Sequence, residues 1–228
     1  MHIPDGFLNN NLTVGLLAGS VSMLGYCLSK ISKSVTVASS RVLANNVSVT
    51  GIDSQLGFSE NANKYFQRLA LIALWVFAFQ MFNIPVKSAT SAHLLGGVFA
   101  AILAGPFAGF AIISFVLITQ SLFFSDGGIL ALGANIFNMA FIGSFLSYYV
   151  YKYFSRRSHY PGVFIACFFS VMTASLVCLL ELELSDSIMF STAFKDMMNL
   201  HLGMACLETL ITLALIKVFR SINGQPNE

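Results

Sequence analysis

The sequence predicts an all-α, polytopic transmembrane bundle of about seven helices, one membrane domain over residues 1–228. Three observations predict it. Hydrophobic residues make up 56% of the chain and charged residues only 10%, with a mean hydropathy of +0.76, too little polar surface to cover a water-soluble domain. Apolar runs recur near 12–30, 67–83, 91–105, 107–124, 131–154, 162–181 and 197–219. The regular alternation that a membrane barrel requires is missing.

The opening MHIPDGFLNN lacks the basic start, apolar run and small-residue cleavage site of a secretory signal, so residues 1–11 are expected to be retained as an extracytoplasmic segment. The first apolar run follows. Residues 31–66, rich in Ser, Asn and Gly, are expected to form a flexible cytoplasmic loop with room for a short surface helix. The run at 91–105 is short for a span. Gly105-Pro106 separates it from the next, because proline cannot continue the hydrogen-bond ladder and glycine relaxes the turn, and the two runs read as a tight helical hairpin.

Basic residues set the orientation. Lys30, Lys33, Arg41, Lys64, Arg68, Lys152, Arg156, Arg157, Lys217 and Arg220 share one side of a seven-helix arrangement, leaving Lys87 and Lys195 opposite. The positive-inside rule then puts the N-terminus outside and the C-terminus in the cytoplasm. Asp5, Asp126, Glu181, Glu183, Asp186 and Asp196 fall on the outer side, as solvated loop residues or as attractors of cations. Cys27, Cys167, Cys178 and Cys206 lie singly in apolar stretches, which argues against a disulfide framework and a thiolate metal site. They read as small apolar residues.

This topology brings the N-terminus and the stretch NIPVKSATSAHLLGG to the same outer face, so His2 and His93 can approach each other. An N-terminal amine, the next backbone amide nitrogen and an imidazole at position 2 close adjacent five- and six-membered chelate rings around one ion. With a second imidazole such as His93 they make a four-nitrogen plane, which suits Ni(II) and Cu(II). Co(II) takes related nitrogen ligation. A ligating imidazole hands its other N–H to an acceptor, and Asp5, Asp126, Asn135 and Asn138 are the candidates. Glu208 lies inside the last apolar run, where an ionisable side chain marks interhelical hydrogen bonding or a functional site. His201 is on roughly the same helical face, about 10 Å away along the axis. Small residues at Gly15 and Gly19, and at Gly97, Ala101, Gly105 and Gly109, read as close helix contacts within the bundle or against a partner.

MHIPDGF, SAHLLGG, AAILAGPFAG, FFSDGGILALGANIFNMAFIG and HLGMACLETLIT together resemble the CbiM/NikM family, the cobalt- and nickel-binding membrane subunits of energy-coupling-factor ABC transporters, from residue 1 to about 213. The resemblance implies that Met1, through its amine, His2, through amide and imidazole, and His93 bind Ni(II) or Co(II) as transported substrate. It also implies a coupling transmembrane subunit, cytoplasmic ATPase subunits and a small accessory membrane subunit as partners, in a prokaryotic inner membrane. No G-x-x-x-x-G-K-[ST] occurs, so ATP is expected to act only through those partners, and the chain is expected to be no enzyme. The family more usually has glycine before the loop histidine. Ala92 stands there in this chain, with Lys87 nearby, and both bear on metal preference. Two other readings are a self-sufficient proton-coupled transporter using Glu208 and His201, and a membrane metal sensor.

Overall fold

A computed structural model describes residues 2–45, 51–81, 84–86 and 90–222. Along the chain run α1 (Asn10–Asn45), α2 (Gly51–Gln80), β1 (Ile84–Val86), β2 (Thr90–Ala92), α3 (Gly97–Ala104), α4 (Pro106–Phe123), α5 (Leu132–Ile136), a π-helix (Phe137–Leu146), α6 (Ser147–Phe154), α7 (His159–Leu184) and α8 (Phe190–Ile222). The segment from α5 through the π-helix to α6 is one uninterrupted rod, so the seven expected helices are present. Among the described residues, four helices contain stretches long and apolar enough to cross a membrane: Asn10–Thr36, Pro106–Phe123, His159–Leu184 and Phe190–Phe219. The chain is a multi-pass helical membrane protein.

Two expectations need correction. The loop foreseen at 31–66 is helical over Ile31–Asn45 and again from Gly51. That stretch contains no proline, so nothing ends the backbone ladder where the side chains turn polar. The helix foreseen at 91–105 begins only at Gly97. Residues 90–92 pair instead with 84–86 in an antiparallel hairpin, Ile84 opposite Ala92 and Val86 opposite Thr90. His93 to Gly96 then run without regular structure, and Gly96 turns the chain into α3 at φ +66°, with Val76 packed against it.

The helical hairpin forms as expected. Gly105 adopts φ +85° and donates its N–H to Ala101, and Pro106 opens α4, where a missing N–H costs nothing. Close approach by small residues then builds the bundle. A Cβ on Gly97 would collide with Gly143 of the π-helix, and one on Gly133 with the Leu16–Leu17 backbone of α1. Ser20 on α1 donates to the Gly133 carbonyl at 2.8 Å, and Ser170 on α7 to Gly143 at 2.8 Å. Phe99, Phe110, Ile113 and Met139 fill the core between these contacts. Gly15 and Gly19 instead lie on the exposed face of α1, where a Cβ on either would meet nothing within 4 Å.

All four cysteines are unpaired with one another: Cys27, Cys167 and Cys178 are buried and Cys206 is exposed. The end of the bundle opposite the basic residues gathers the N-terminal segment, the α4–α5 turn and the α7–α8 turn. Asn9 ties the first to the last through its N–H to Ser185 Oγ at 3.1 Å and its Nδ2 to the Leu184 carbonyl at 3.0 Å.

Candidate metal centre

The N-terminal segment enters the bundle at its start, while Asp5, Gly6 and Asn9 to Asn11 stay exposed. His2 and Ile3 are buried, and Ile3 packs among Ala131, Ala134, Cys178, Leu179, Leu182 and Met197. A buried strand-like segment must place its backbone polar groups. Asn135 on α5 accepts the Ile3 N–H at 2.8 Å and donates to the Ile3 carbonyl at 3.1 Å, while the Gly128 N–H reaches the same carbonyl at 2.9 Å.

Asp5 completes the clamp. Its carboxylate accepts the N–H groups of Ile129, Leu130 and Ala131 at 3.2, 2.8 and 3.2 Å, capping the start of α5 from another segment. This is why the turn reads SDGG: a Cβ on Gly128 would collide with the Asp5 carboxylate and backbone, and Gly127 holds φ +84° against His2 and Asn135. Gly128→Ala is expected to destabilise the protein by about 2–3 kcal/mol. Thermal unfolding in detergent checks this; an unchanged midpoint would show that the Asp5 clamp contributes little.

His2 and His93 meet. Their ring centroids lie 4.5 Å apart at an interplanar angle of 41°. His2 Nδ1 is 2.7 Å from Asp126 Oδ1, and His93 Nδ1 is 2.9 Å from the Leu94 carbonyl. Each Nδ1–H thus has an acceptor, and each buried Nε2 is without a hydrogen-bond partner among the described residues. That is how a protein prepares imidazoles for an ion: one nitrogen fixed by an acceptor, the other offering its lone pair. Burial lowers the proton affinity of His2, although the Asp126 bond opposes it, and burial takes His93 well below the ordinary imidazole value, helped by the neighbouring His2 ring. Burial pushes the Asp126 carboxyl up, but its bond and charge interaction with His2 outweigh this and leave it below the usual value. Both rings are therefore neutral near pH 7.

The structure differs from the expected chelate in one respect. The six-membered ring requires His2 Nδ1, which here faces Asp126. A buried N–H beside a carboxylate takes that partner, since leaving either group unpaired costs more. Met1 and Lys87 lie outside the described residues. Among those described, no cluster of three or more His, Cys, Asp or Glu side chains could hold an ion.

The loop bearing His93 is fixed from two helices. Glu208 on α8 accepts the N–H groups of Leu95 and Gly96 at 2.9 and 2.8 Å, and Gln80 at the end of α2 donates to the Leu95 carbonyl at 2.7 Å. Both Glu208 oxygens are thus engaged by backbone, and no bond joins it to His201, whose Nδ1 bonds the Met197 carbonyl at 2.7 Å. Ala92 is buried, and its φ is not positive, so glycine is not needed there for backbone reasons.

Of the acceptors foreseen, Asp126 serves His2, while Asp5 and Asn135 hold the segment that carries it. Asn138 bonds Glu181 instead. Glu181, read as a loop residue, is buried. Sequence reasoning passed over Gln80 and Gln120, both fully buried; an amide inside an apolar run was the signal that could have found them.

The family described as the cobalt uptake substrate-specific transmembrane region, CbiM, matches residues 2–225. The chain is 35% identical over 156 residues, 68% of its length, to a fused nickel transport protein of Rhodobacter capsulatus, of which it spans 38%. It is 30% identical over 162 residues, again 68% of its length, to a cobalt transport protein of Thermosipho melanesiensis, of which it spans 69%. A relative from Archaeoglobus fulgidus is 33% identical over 187 residues, 82% of this chain, and the chain spans 54% of that protein. The crystal structure of a transition metal transporter is similar, with a TM-score of 0.79 at 26% identity, covering 99% of this chain and 95% of that one.

Proposed function

The chain belongs to the CbiM family, and from that premise we propose that it is the substrate-specific membrane subunit of an energy-coupling-factor importer, taking up Ni(II) or Co(II) from outside a prokaryotic inner membrane. The observation that carries the reading is the buried pair of imidazoles, His2 and His93, each with one nitrogen fixed and the other unpartnered. Relatives named as nickel and cobalt transport proteins support the choice of metals.

Met1 adds its amine, and His2 its amide nitrogen and ring, to the ligand set completed by His93. Closing the six-membered chelate ring takes Nδ1 away from Asp126. The proton that Nδ1 carries in the metal-free ring moves to Nε2, and turning the imidazole over about Cβ–Cγ puts that Nε2–H on the side of Asp126, whose carboxylate then accepts it. ATP acts through partner ATPases, joined by a coupling transmembrane subunit and a small accessory membrane subunit. The basic residues other than Lys87 and Lys195, gathered at the end away from this site, support an orientation with the site outside and the C-terminus in the cytoplasm.

The chelate depends on a free amine. Blocking the amine in place, by acetylating Met1, is expected to abolish high-affinity binding of Ni(II) or Co(II) by the purified protein, because an acetylated nitrogen is no longer an amine donor and the terminal chelate ring is lost. Isothermal titration checks it, and unchanged affinity would exclude this ligand set.

Acidity gives a second check. A proton and a metal ion compete for the same imidazole lone pair, and burial lowers the proton affinity of both rings. The imidazole contribution to binding is therefore fully present above the ordinary value of about 6.5 and is lost only as pH falls through the lowered values. Beyond the steady slope from amine deprotonation, log Kd should break below about pH 6.5. A break at or above that value would mean that the rings titrate as exposed histidines.

A further inference from the structure

Glu181 and Asn138 form a buried polar pair that the metal site does not use. Asn138 is the second residue of the π-helix, one turn along the rod from Asn135, which clamps Ile3; Glu181 lies near the outer end of α7. Asn138 is fully buried and Glu181 is 4% exposed. Asn138 Nδ2 donates to Glu181 Oε2 at 2.6 Å. The other oxygen of each group, Asn138 Oδ1 and Glu181 Oε1, is buried and has no hydrogen-bond partner among the described residues.

An amide oxygen and an ionised carboxylate can only accept. As a carboxylate, Glu181 would bury a charge in the bundle and leave two acceptors unsatisfied, both costly in a low-dielectric interior. Among the described residues no lysine or arginine pairs with it. Cys178, one turn earlier, and Glu183, which accepts the Phe190 N–H at the exposed end, are the other titratable groups on that part of α7, and the packed elements contribute His2, held by Asp126, and His201, bonded to a carbonyl. Lys195 on α8 is exposed.

One proton removes both deficits. On Oε1 it makes a hydroxyl that donates to Asn138 Oδ1 while Nδ2–H continues to donate to Oε2, so acid and amide satisfy each other through two bonds. We propose that Glu181 and Asn138 are an intramembrane proton-binding site, in which the carboxyl carries a proton at neutral pH and shares it with the amide oxygen. The proton thereby joins α7 to the π-helix beneath the seat of the N-terminal segment. This holds whether or not the metal reading does.

Infrared difference spectroscopy on the full chain in lipid nanodiscs, wild type against Glu181→Gln, tests it at neutral pH. Glutamine mimics the neutral acid in shape and keeps one donor and one acceptor. The expected result is loss of the carbonyl stretch of a protonated carboxylic acid, a band that shifts in D2O because its proton exchanges. Loss of carboxylate stretches instead, or a carboxylate band that moves on adding sodium or nickel salts, would overturn the proposal. If Glu181→Gln does not fold, Asn138→Leu decides. With the amide donor gone, the acid carbonyl band should move to higher frequency, and an unchanged band would exclude the pair.

Discussion

Replacing His93 by alanine should weaken Ni(II) or Co(II) binding at least about a hundred-fold, or about 2.7 kcal/mol. His93 is fully buried, its ring stands 4.5 Å from that of His2, and its Nε2 is the lone pair it offers. Alanine removes that nitrogen, and no other side chain among the described residues of 84–96 carries one. His2→Ala should be at least as damaging, because it removes a ligand and the partner of Asp126 together. His159, whose ring bonds Tyr151 at the far end of the bundle, is the control and should bind as wild type when replaced. Titration of detergent-purified variants with native N-termini reads all three. Full-strength binding by His93→Ala would remove this histidine from the site.

Glu208→Ala should have the second largest effect, on stability and on metal affinity together. It strips the acceptor from two buried N–H groups, Leu95 and Gly96, and an unsatisfied buried donor costs about 1–3 kcal/mol. A loss of about 2–6 kcal/mol in unfolding free energy follows. Because the same two residues set the course of the chain from His93 into α3, the imidazole loses its bearing and affinity falls as well. Glu208→Gln retains one acceptor and should recover part of both. Thermal unfolding with and without metal separates the effects. An alanine variant that unfolds like wild type would show that this carboxylate does not hold the loop. A proton-relay role predicts a different pattern, in which binding survives and only transport fails.

Much of the fold could be read from residue order. Apolar runs located the spans, and Gly105-Pro106 located the hairpin, because both are local properties of the chain. The errors were local too. Nothing in the polar residues after Ile31 could show that α1 continues, because a helix leaving the membrane needs only the absence of a breaker. Ala92 and His93 could not be distinguished from the start of a helix, because the hairpin pairing of Ile84 with Ala92 takes those residues out of the helical register.

The candidate site was legible in part for the same reason. His2 and His93 are recognisable as residue types whose chemistry suits a transition metal, and the family motifs surround them. The sequence by itself therefore determined the membrane class, the order of the helices, the family and the two imidazoles. Tertiary structure alone decided that His2 and Ile3 are buried, that Asp126 and not Asp5 holds His2, that Asn138 belongs to Glu181, and that Glu208 serves the His93 loop. Each of these contacts joins residues more than forty positions apart. Hydrogen-bond partners of buried groups are chosen by which helices pack together, and no local pattern along the chain carries that choice.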